Sequence, residues 1–233
     1  MNSPFNSNPN ARAMGAPIPV PMAADATAEA RLNFIRLTYV LFTASVLTAV
    51  VGGIISLNSP LGNLVMAFAP WSLLAILPLS IGAQVMADKP NLGNAALFGF
   101  ALLLGIIIAP VVNLYSTNTV TQAGALTVLI FGALTAYVFV TRKDFNFLGG
   151  IVFVGLIACI GAGLLNYFVF KNSGFSYWIA WGVLLFSAGF VLYDTSNIMQ
   201  RYPLNQPAGA TLGLLISFFN IFMSLLRILN GRD

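Results

Sequence analysis

Asp194 is the residue of this sequence best suited to chemistry, because it places a carboxylate inside a long apolar stretch. Moving a charge from water into hydrocarbon is costly, so an ionisable side chain in such a stretch normally faces protein or water and marks a functional site. A carboxylate there could bind a cation or relay a proton. The alternative is structural: an interfacial carboxylate that reaches water or Arg201 and anchors its helix.

Polar and small residues form two stripes, one on the predicted helix of Asp194 and one on the next helix. Residues spaced three, four or seven apart lie on one face of a helix, so each stripe occupies a single face. The first stripe comprises Ser187, Asp194, Asn197 and Arg201, and the second comprises Gly213, Ser217, Asn220 and Ser224. We expect the two stripes to face each other. We call the candidate ion or sensor site the polar seam and define it as Asp194, Asn197, Arg201, Ser217 and Asn220. The alternative role for its amide and hydroxyl members is hydrogen bonding that holds helices together.

Helical rise limits the partners of Asp194. Counted from the turn between the two stripes, Asp194 lies roughly 9 Å deep and Ser217 roughly 14 Å deep, so the two can meet directly or through water. Arg227 lies roughly 28 Å along its helix and is too distant. Arg201 is therefore the basic residue predicted to pair with Asp194.

The sequence lacks most of the residue types that enzymes use for catalysis. The sequence contains no histidine, which removes the usual general base and the commonest metal ligand. An intramembrane aspartyl protease needs a second aspartate, yet Asp194 stands alone among the apolar stretches, and there is no phosphate-binding Gly-rich loop. We therefore predict a protein that is not an enzyme and that needs no cofactor or metal centre. The net charge of +4 is spread over several connectors, which argues against nucleic-acid binding.

The elements that must position these residues are membrane spans. Of the 233 residues, 58% are hydrophobic and 7% are charged, whereas a soluble domain carries about 25% charged residues. Runs of about 20 apolar residues cross a bilayer as helices. The predicted spans are about Asn33–Ile55, Gly62–Ala87, residue 91 to Leu114, Val120–Val140, a fifth between Asp144 and Lys171, Phe175–Met199 and Ala208–Leu229. The predicted fold is an all-α integral membrane protein with seven transmembrane helices over residues 31–233, in which Pro70 and Pro78 kink the second span.

The first 30 residues and the basic residues predict how the chain sits in its membrane. Residues 1–30 are rich in Asn, Pro and Ala, which predicts a disordered tail. With seven spans, seven of the ten basic residues fall on the side of this tail and three on the other. Basic residues collect on the cytoplasmic side, so we expect a cytoplasmic N-terminus and a periplasmic C-terminus.

Three motifs carry a resemblance to a known family. They are Thr141-Arg142-Lys143-Asp144 followed by Phe147-Leu148-Gly149-Gly150, then Tyr193-Asp194-Thr195-Ser196-Asn197-Ile198, and finally Asn220-Ile221-Phe222-Met223-Ser224-Leu225-Leu226. Together with seven spans, they resemble the Bax inhibitor-1 family over residues 31–233. The resemblance implies six helices around a central seventh.

The same resemblance implies two functions. Bacterial members modulate an FtsH-type AAA protease of the inner membrane, and other members are pH-sensitive leak channels for calcium or protons. The leak members have a pair of aspartates latched by an arginine on the second helix; here Asp194 matches the first aspartate, Ser217 stands at the second position and Gly62–Ala87 contains no basic residue. The protease modulator is therefore the favoured function, with a leak channel and a membrane scaffold as alternatives.

Overall fold

The computed structural model describes residues 21–68, 71–87, 89 and 92–231. In chain order the helices are α1 (Ala28–Leu57), α2 (Leu61–Ala67), α3 (Trp71–Leu74), α4 (Ile76–Ala87), α5 (Gly93–Val112), α6 (Thr117–Thr141), α7 (Leu148–Leu165, continued by a π-helical turn Asn166–Phe170), α8 (Ser173–Gln200) and α9 (Pro207–Asn230). Within the described ranges, six helices are long and apolar enough to cross a membrane, and the bent second span brings the number to seven. The predicted all-α membrane fold is confirmed.

Polar side chains fix the starts of several spans. Thr27 Oγ1 accepts a hydrogen bond from the Ala30 backbone N–H at the start of α1, at 3.3 Å. Asn172 Oδ1 accepts one from the Phe175 N–H at the start of α8, at 3.1 Å. These caps satisfy backbone donors that have no acceptor within the helix. Because of its cap, α1 begins before the predicted position, Asn33.

The second span is broken rather than gently kinked. The axis of α2 and that of the segment Trp71–Ala87 differ by 97°. Pro78 lacks the N–H that would bond to the Leu74 carbonyl, which leaves a one-residue interruption at Ala75 between α3 and α4. The irregularity expected at Pro78 is thus confined to one residue, and Pro70 lies outside the described part of the chain.

The seventh span, α9, is the central helix of the bundle. It packs against α8, α1, α6, α5 and α4, which belong to five of the other six spans. In the most apolar part of α9 50% of the residues are buried, compared with 11% in the fifth span. The predicted central position of the seventh span agrees with this packing. The fifth span departs from the predicted ring because α7 packs mainly against α8 and lies at the periphery.

The segment that precedes α1 corrects the predicted disorder of residues 21–30. The backbone N–H groups of Ala23 and Ala24 donate to the carbonyls of Tyr202 and Gln200, each at 3.0 Å, and Arg31 Nε donates to the Ala23 carbonyl at 2.8 Å. The last carbonyls of a helix such as α8 have no partner within it, and this segment supplies donors for them. Residues 1–20 of the predicted tail lie outside the described residues.

Candidate functional site

The Asp194 carboxylate lies between α8 and the central helix α9. The residue as a whole is partly exposed, but its carboxylate is packed against Gly213, where an added Cβ would come within 2.9 Å of Asp194 Oδ2. Ser217, one turn further along α9, is buried and its hydroxyl hydrogen-bonds to the carboxylate. Gly213 therefore leaves the space that Asp194 occupies, and Ser217 supplies the donor that fixes it.

Two other helices add hydroxyl groups beside Asp194. Tyr39 Oη on α1 lies 3.5 Å from Thr195 Oγ1 on α8, and the Thr135 hydroxyl on α6 lies next to Tyr39. Asp194 directly precedes Thr195 on α8, so its carboxylate belongs to the same part of the bundle. We call these five residues, Tyr39, Thr135, Asp194, Thr195 and Ser217, the junction cluster, because they join α1, α6, α8 and α9.

The junction cluster combines one carboxylate with four hydroxyl groups. Hydroxyls can both donate and accept a hydrogen bond; Tyr39 is bonded to Thr195 and Ser217 to Asp194, whereas Thr135 Oγ1 has no hydrogen-bond partner within the described part of the chain. A hard cation such as Ca²⁺ takes six to eight oxygen ligands and favours several carboxylates, whereas Asp194 is the only anionic member. The chemistry of the cluster is therefore better suited to holding a proton than to holding a divalent cation.

Arg201 pairs with a different acid from the one predicted. Its Nη2 lies 2.5 Å from Oδ2 of Asp144, in the connector between α6 and α7, and both side chains are about half exposed. Arg201 follows the last residue of α8, two turns beyond Asp194, so its long side chain extends into the polar end region of the bundle. The predicted Asp194–Arg201 pair is therefore wrong. The hydrogen bond and the nearby positive charge of Arg201 keep the pKa of Asp144 below its usual value.

The two asparagines of the polar seam do not join Asp194. Asn197 is buried, and its Oδ1 has no hydrogen-bond partner within the described part of the chain. Asn220 lies about two turns further along α9 than Gly213 and lines a small cavity of about 100 Å³ together with Phe100 and Leu104 of α5. Of the predicted seam, the structure brings together Asp194 and Ser217 and places the other three residues elsewhere.

A second set of bonds ties the motif-bearing connector to α8. Ser196 Oγ accepts a hydrogen bond from the Phe145 N–H at 3.0 Å and donates one to the Lys143 carbonyl at 3.3 Å. Together with the Arg201–Asp144 pair, these bonds hold the α6–α7 connector on the end of α8. The first two family motifs are therefore in contact although they lie about 50 residues apart.

Sequence reasoning missed Tyr39 and Thr135. Each is one of several polar residues scattered along a mainly apolar span, and hydroxyls in such spans can bond to the backbone of their own helix, as Thr38 does to the Phe34 carbonyl at 2.9 Å. Their type and spacing therefore carry no signal for a site. Only the packing of α1 and α6 around α9 brings them to Asp194.

Comparisons with known proteins agree with the motifs. The family model described as "Inhibitor of apoptosis-promoting Bax1" matches residues 31–233. Bax inhibitor 1 of Schizosaccharomyces pombe is 30% identical over 215 residues, covering 88% of this chain and 79% of that protein. YccA of Escherichia coli, named as a modulator of FtsH protease and, in another strain, as an inner membrane protein, is 35% identical over 153 residues, covering 63% of this chain and 68% of YccA. A Pseudomonas aeruginosa protein is 37% identical over 141 residues, which are 58% of this chain and 63% of that protein.

Proposed function

This chain belongs to the Bax inhibitor-1 family, and on that premise we propose that it is a non-enzymatic regulator of a bacterial inner membrane. It binds an FtsH-type AAA protease and restrains the degradation of other membrane proteins. The observation that carries this proposal is the 35% identity to YccA, whose name describes it as a modulator of FtsH protease.

The surroundings of Asp194 support a regulator over a calcium channel. Its partner on α9 is the Ser217 hydroxyl rather than a second carboxylate. The second span, Gly62–Ala87, has no basic residue in its sequence that could latch a carboxylate pair. Two of the three parts of the leak-channel pattern are thus replaced by uncharged residues.

The grouping of basic residues at one end of the bundle supports the proposed orientation of the chain in the membrane. Arg31, Lys143 and Arg201 lie at one end of the bundle, since Ala23 bonds to Tyr202 and the α6–α7 connector bonds to the end of α8. Because basic residues concentrate on the cytoplasmic side, we place this end in the cytoplasm and the end of α9 in the periplasm.

Reconstitution tests the proposal. The full chain would be incorporated into proteoliposomes with an FtsH-type protease and a membrane protein substrate, and an unrelated multi-span protein at the same molar ratio would serve as the control. We expect the substrate half-life to lengthen when this chain is present and to stay unchanged with the control protein. We also expect the protease to co-elute with this chain in mild detergent. An unchanged half-life together with no co-elution would rule out the regulator.

A pH-sensitive leak of protons or calcium is the second candidate function, and the junction cluster is the observation that favours it. Asp194 is the only acidic residue of the sequence within the interior of a span, so any such leak must pass through its carboxylate. Flux into dye-loaded liposomes would be compared for the wild type and Asp194→Asn. A leak of this kind disappears in the variant, and flux that persists unchanged removes Asp194 from the pathway.

A further inference from the structure

A cavity of about 670 Å³ lies at the end of the bundle where α7 meets α8, far from the junction cluster. Two cations line it: Lys171 from the connector between these helices and Arg227 from the last turn of α9. Asn166 and Ser176 contribute polar groups to the same wall. The volume is in the range of sites that bind small molecules, about 300–1,000 Å³.

Asn166 fixes the connector that carries Lys171. Its side-chain Nδ2 donates to the Asn172 carbonyl at 3.0 Å and to Ser176 Oγ at 2.7 Å, and its Oδ1 accepts from the Asn172 N–H at 3.1 Å. Asn166 is buried, and Lys171 adopts a left-handed backbone with φ of 49°, a conformation that favours glycine. The polar wall of the cavity is therefore held in place by side-chain hydrogen bonds.

Among the described residues that line this cavity, two are cationic and none is acidic. Within the described residues the only ion pair is Arg201–Asp144, at the opposite end of α8, so neither Lys171 nor Arg227 has an anionic partner there. Ser173 begins α8 at the cavity wall, and the N-terminus of a helix carries a partial positive charge. Ser176 Oγ accepts from Asn166, which leaves its own proton free to donate. All these groups favour a ligand with anionic oxygens.

Aromatic rings at the mouth of the cavity place it at the membrane surface. Tyr167 and Phe168 line it and are each about half exposed, and the Phe168 ring lies 6.2 Å from that of Trp71, which is 63% exposed. Exposed tyrosine and tryptophan rings are typical of the interface between headgroups and acyl chains. A ligand with a phosphate in the cavity and acyl chains beside these rings would match both surfaces.

We propose that this cavity binds the headgroup phosphate of an anionic phospholipid, with Lys171 and Arg227 as its cations and the Ser176 hydroxyl as a donor. Basic pockets between transmembrane helices bind anionic headgroups on the cytoplasmic side of membranes, and this cavity presents the same chemistry at the opposite end of the bundle. The acyl chains lie along the exposed rings of Tyr167 and Phe168. This site shares no residue with the junction cluster.

Native mass spectrometry of the full chain tests the site. The protein would be titrated with phosphatidylglycerol or with zwitterionic phosphatidylcholine, and the wild type would be compared with Lys171→Gln/Arg227→Gln. Each cation near a membrane surface contributes about a fivefold preference, so we expect the double variant to bind phosphatidylglycerol about 25-fold more weakly. The phosphatidylcholine affinity should be unchanged.

Two matched variants make the test specific. Lys143→Gln/Arg201→Gln removes two cations from the other end of the bundle and should retain phosphatidylglycerol binding, as should the charge-preserving Lys171→Arg/Arg227→Lys. Equal binding by Lys171→Gln/Arg227→Gln and the wild type would overturn the proposal. Displacement of the lipid by millimolar inorganic phosphate would overturn it too, because the site would then select a free anion rather than a lipid.

Discussion

Two carboxylates that border α8 have opposite surroundings. Asp144 lies at the end of the bundle, where Arg201 balances its charge and water reaches both side chains. Asp194 lies between α8 and α9, where its neighbours are the Gly213 backbone and the Ser217 hydroxyl. Exposed ion pairs contribute little to stability, whereas packed polar groups are sensitive to both volume and charge. Substitutions around Asp194 should therefore have much larger effects than substitutions around Asp144.

A second carboxylate beside Asp194 should have the largest effect. In Ser217→Asp, two acidic side chains meet inside the bundle without a basic partner, and we expect the free energy of unfolding to fall by about 3 kcal/mol or more. Ca²⁺ bound by both carboxylates would offset their repulsion and raise the thermal midpoint of this variant alone. Unfolding in detergent, with and without Ca²⁺, measures both effects.

Ser217→Asn is the matched control for this comparison, because it has a similar volume and no charge. It should show no Ca²⁺ dependence. Calcium flux into liposomes should rise for Ser217→Asp relative to the wild type. A variant that is as stable as the wild type and indifferent to Ca²⁺ would show that Ser217 does not face the Asp194 carboxylate.

Filling the space at Gly213 should have the next largest effect. In Gly213→Ala the new Cβ would lie 2.9 Å from Asp194 Oδ2, so the carboxylate must move away from Ser217. We expect a loss of about 1–2 kcal/mol, even though alanine is the better helix former. Gly161→Ala is the control, since a Cβ there has nothing within 4 Å.

A double-variant cycle separates this contact from helix propensity. Combining Gly213→Ala with Asp194→Ala removes the overcrowded carboxylate, so the two losses of stability should not add. Additive losses, or equal stabilities of Gly213→Ala and Gly161→Ala in an unfolding titration, would contradict the close packing of Asp194 on α9.

The spans could be predicted from the sequence because hydropathy and length alone determine which segments enter a bilayer. Thus the predicted sixth span, Phe175–Met199, differs from α8 by only a few residues. Side-chain caps move helix starts, and hydropathy does not give the size of the 97° bend in the second span. The pairing of residues 21–24 with the connector after α8 is also tertiary, so composition wrongly predicted disorder there.

The candidate site could be predicted only where the position of a residue around its own helix was enough to identify its partner. Spacing placed Asp194 and Ser217 on facing sides of consecutive helices, and they do meet. Spacing also placed Arg201 on the stripe of Asp194, but it cannot show that Asp144, 57 residues away, competes for the guanidinium. Tyr39 and Thr135 come from distant spans, and only the position of α9 at the centre brings them to the cluster.

The hydrogen bonds of Ser196 should contribute an intermediate amount. Ser196→Ala leaves the Phe145 N–H without its acceptor, and we expect a loss of about 1 kcal/mol and faster proteolysis of the α6–α7 connector. Ser80→Ala is the control, because that exposed hydroxyl bonds only to its own helix. Equal proteolysis of the two variants would mean that Ser196 does not hold the connector.

The exposed pair at the end of α8 should have the smallest effect, and that effect should depend on pH. Arg201 holds the pKa of Asp144 below its unfolded value, so the pair stabilises the fold above about pH 4 and this contribution disappears as pH falls through the lowered pKa. Because both side chains are about half exposed, we expect Asp144→Asn to cost less than about 1 kcal/mol at pH 7. The difference from the wild type should shrink in high salt and vanish as pH falls through the lowered pKa of Asp144, where the wild-type carboxylate is itself protonated. Unfolding titrations of wild type, Asp144→Asn and Arg201→Gln at pH 7 and at low pH measure this contribution. If Asp144→Asn lost as much stability at pH 7 as Gly213→Ala, the contrast between the two carboxylates would be contradicted. The exposed Asp144–Arg201 pair would then contribute as much to stability as the packing of Asp194 on α9.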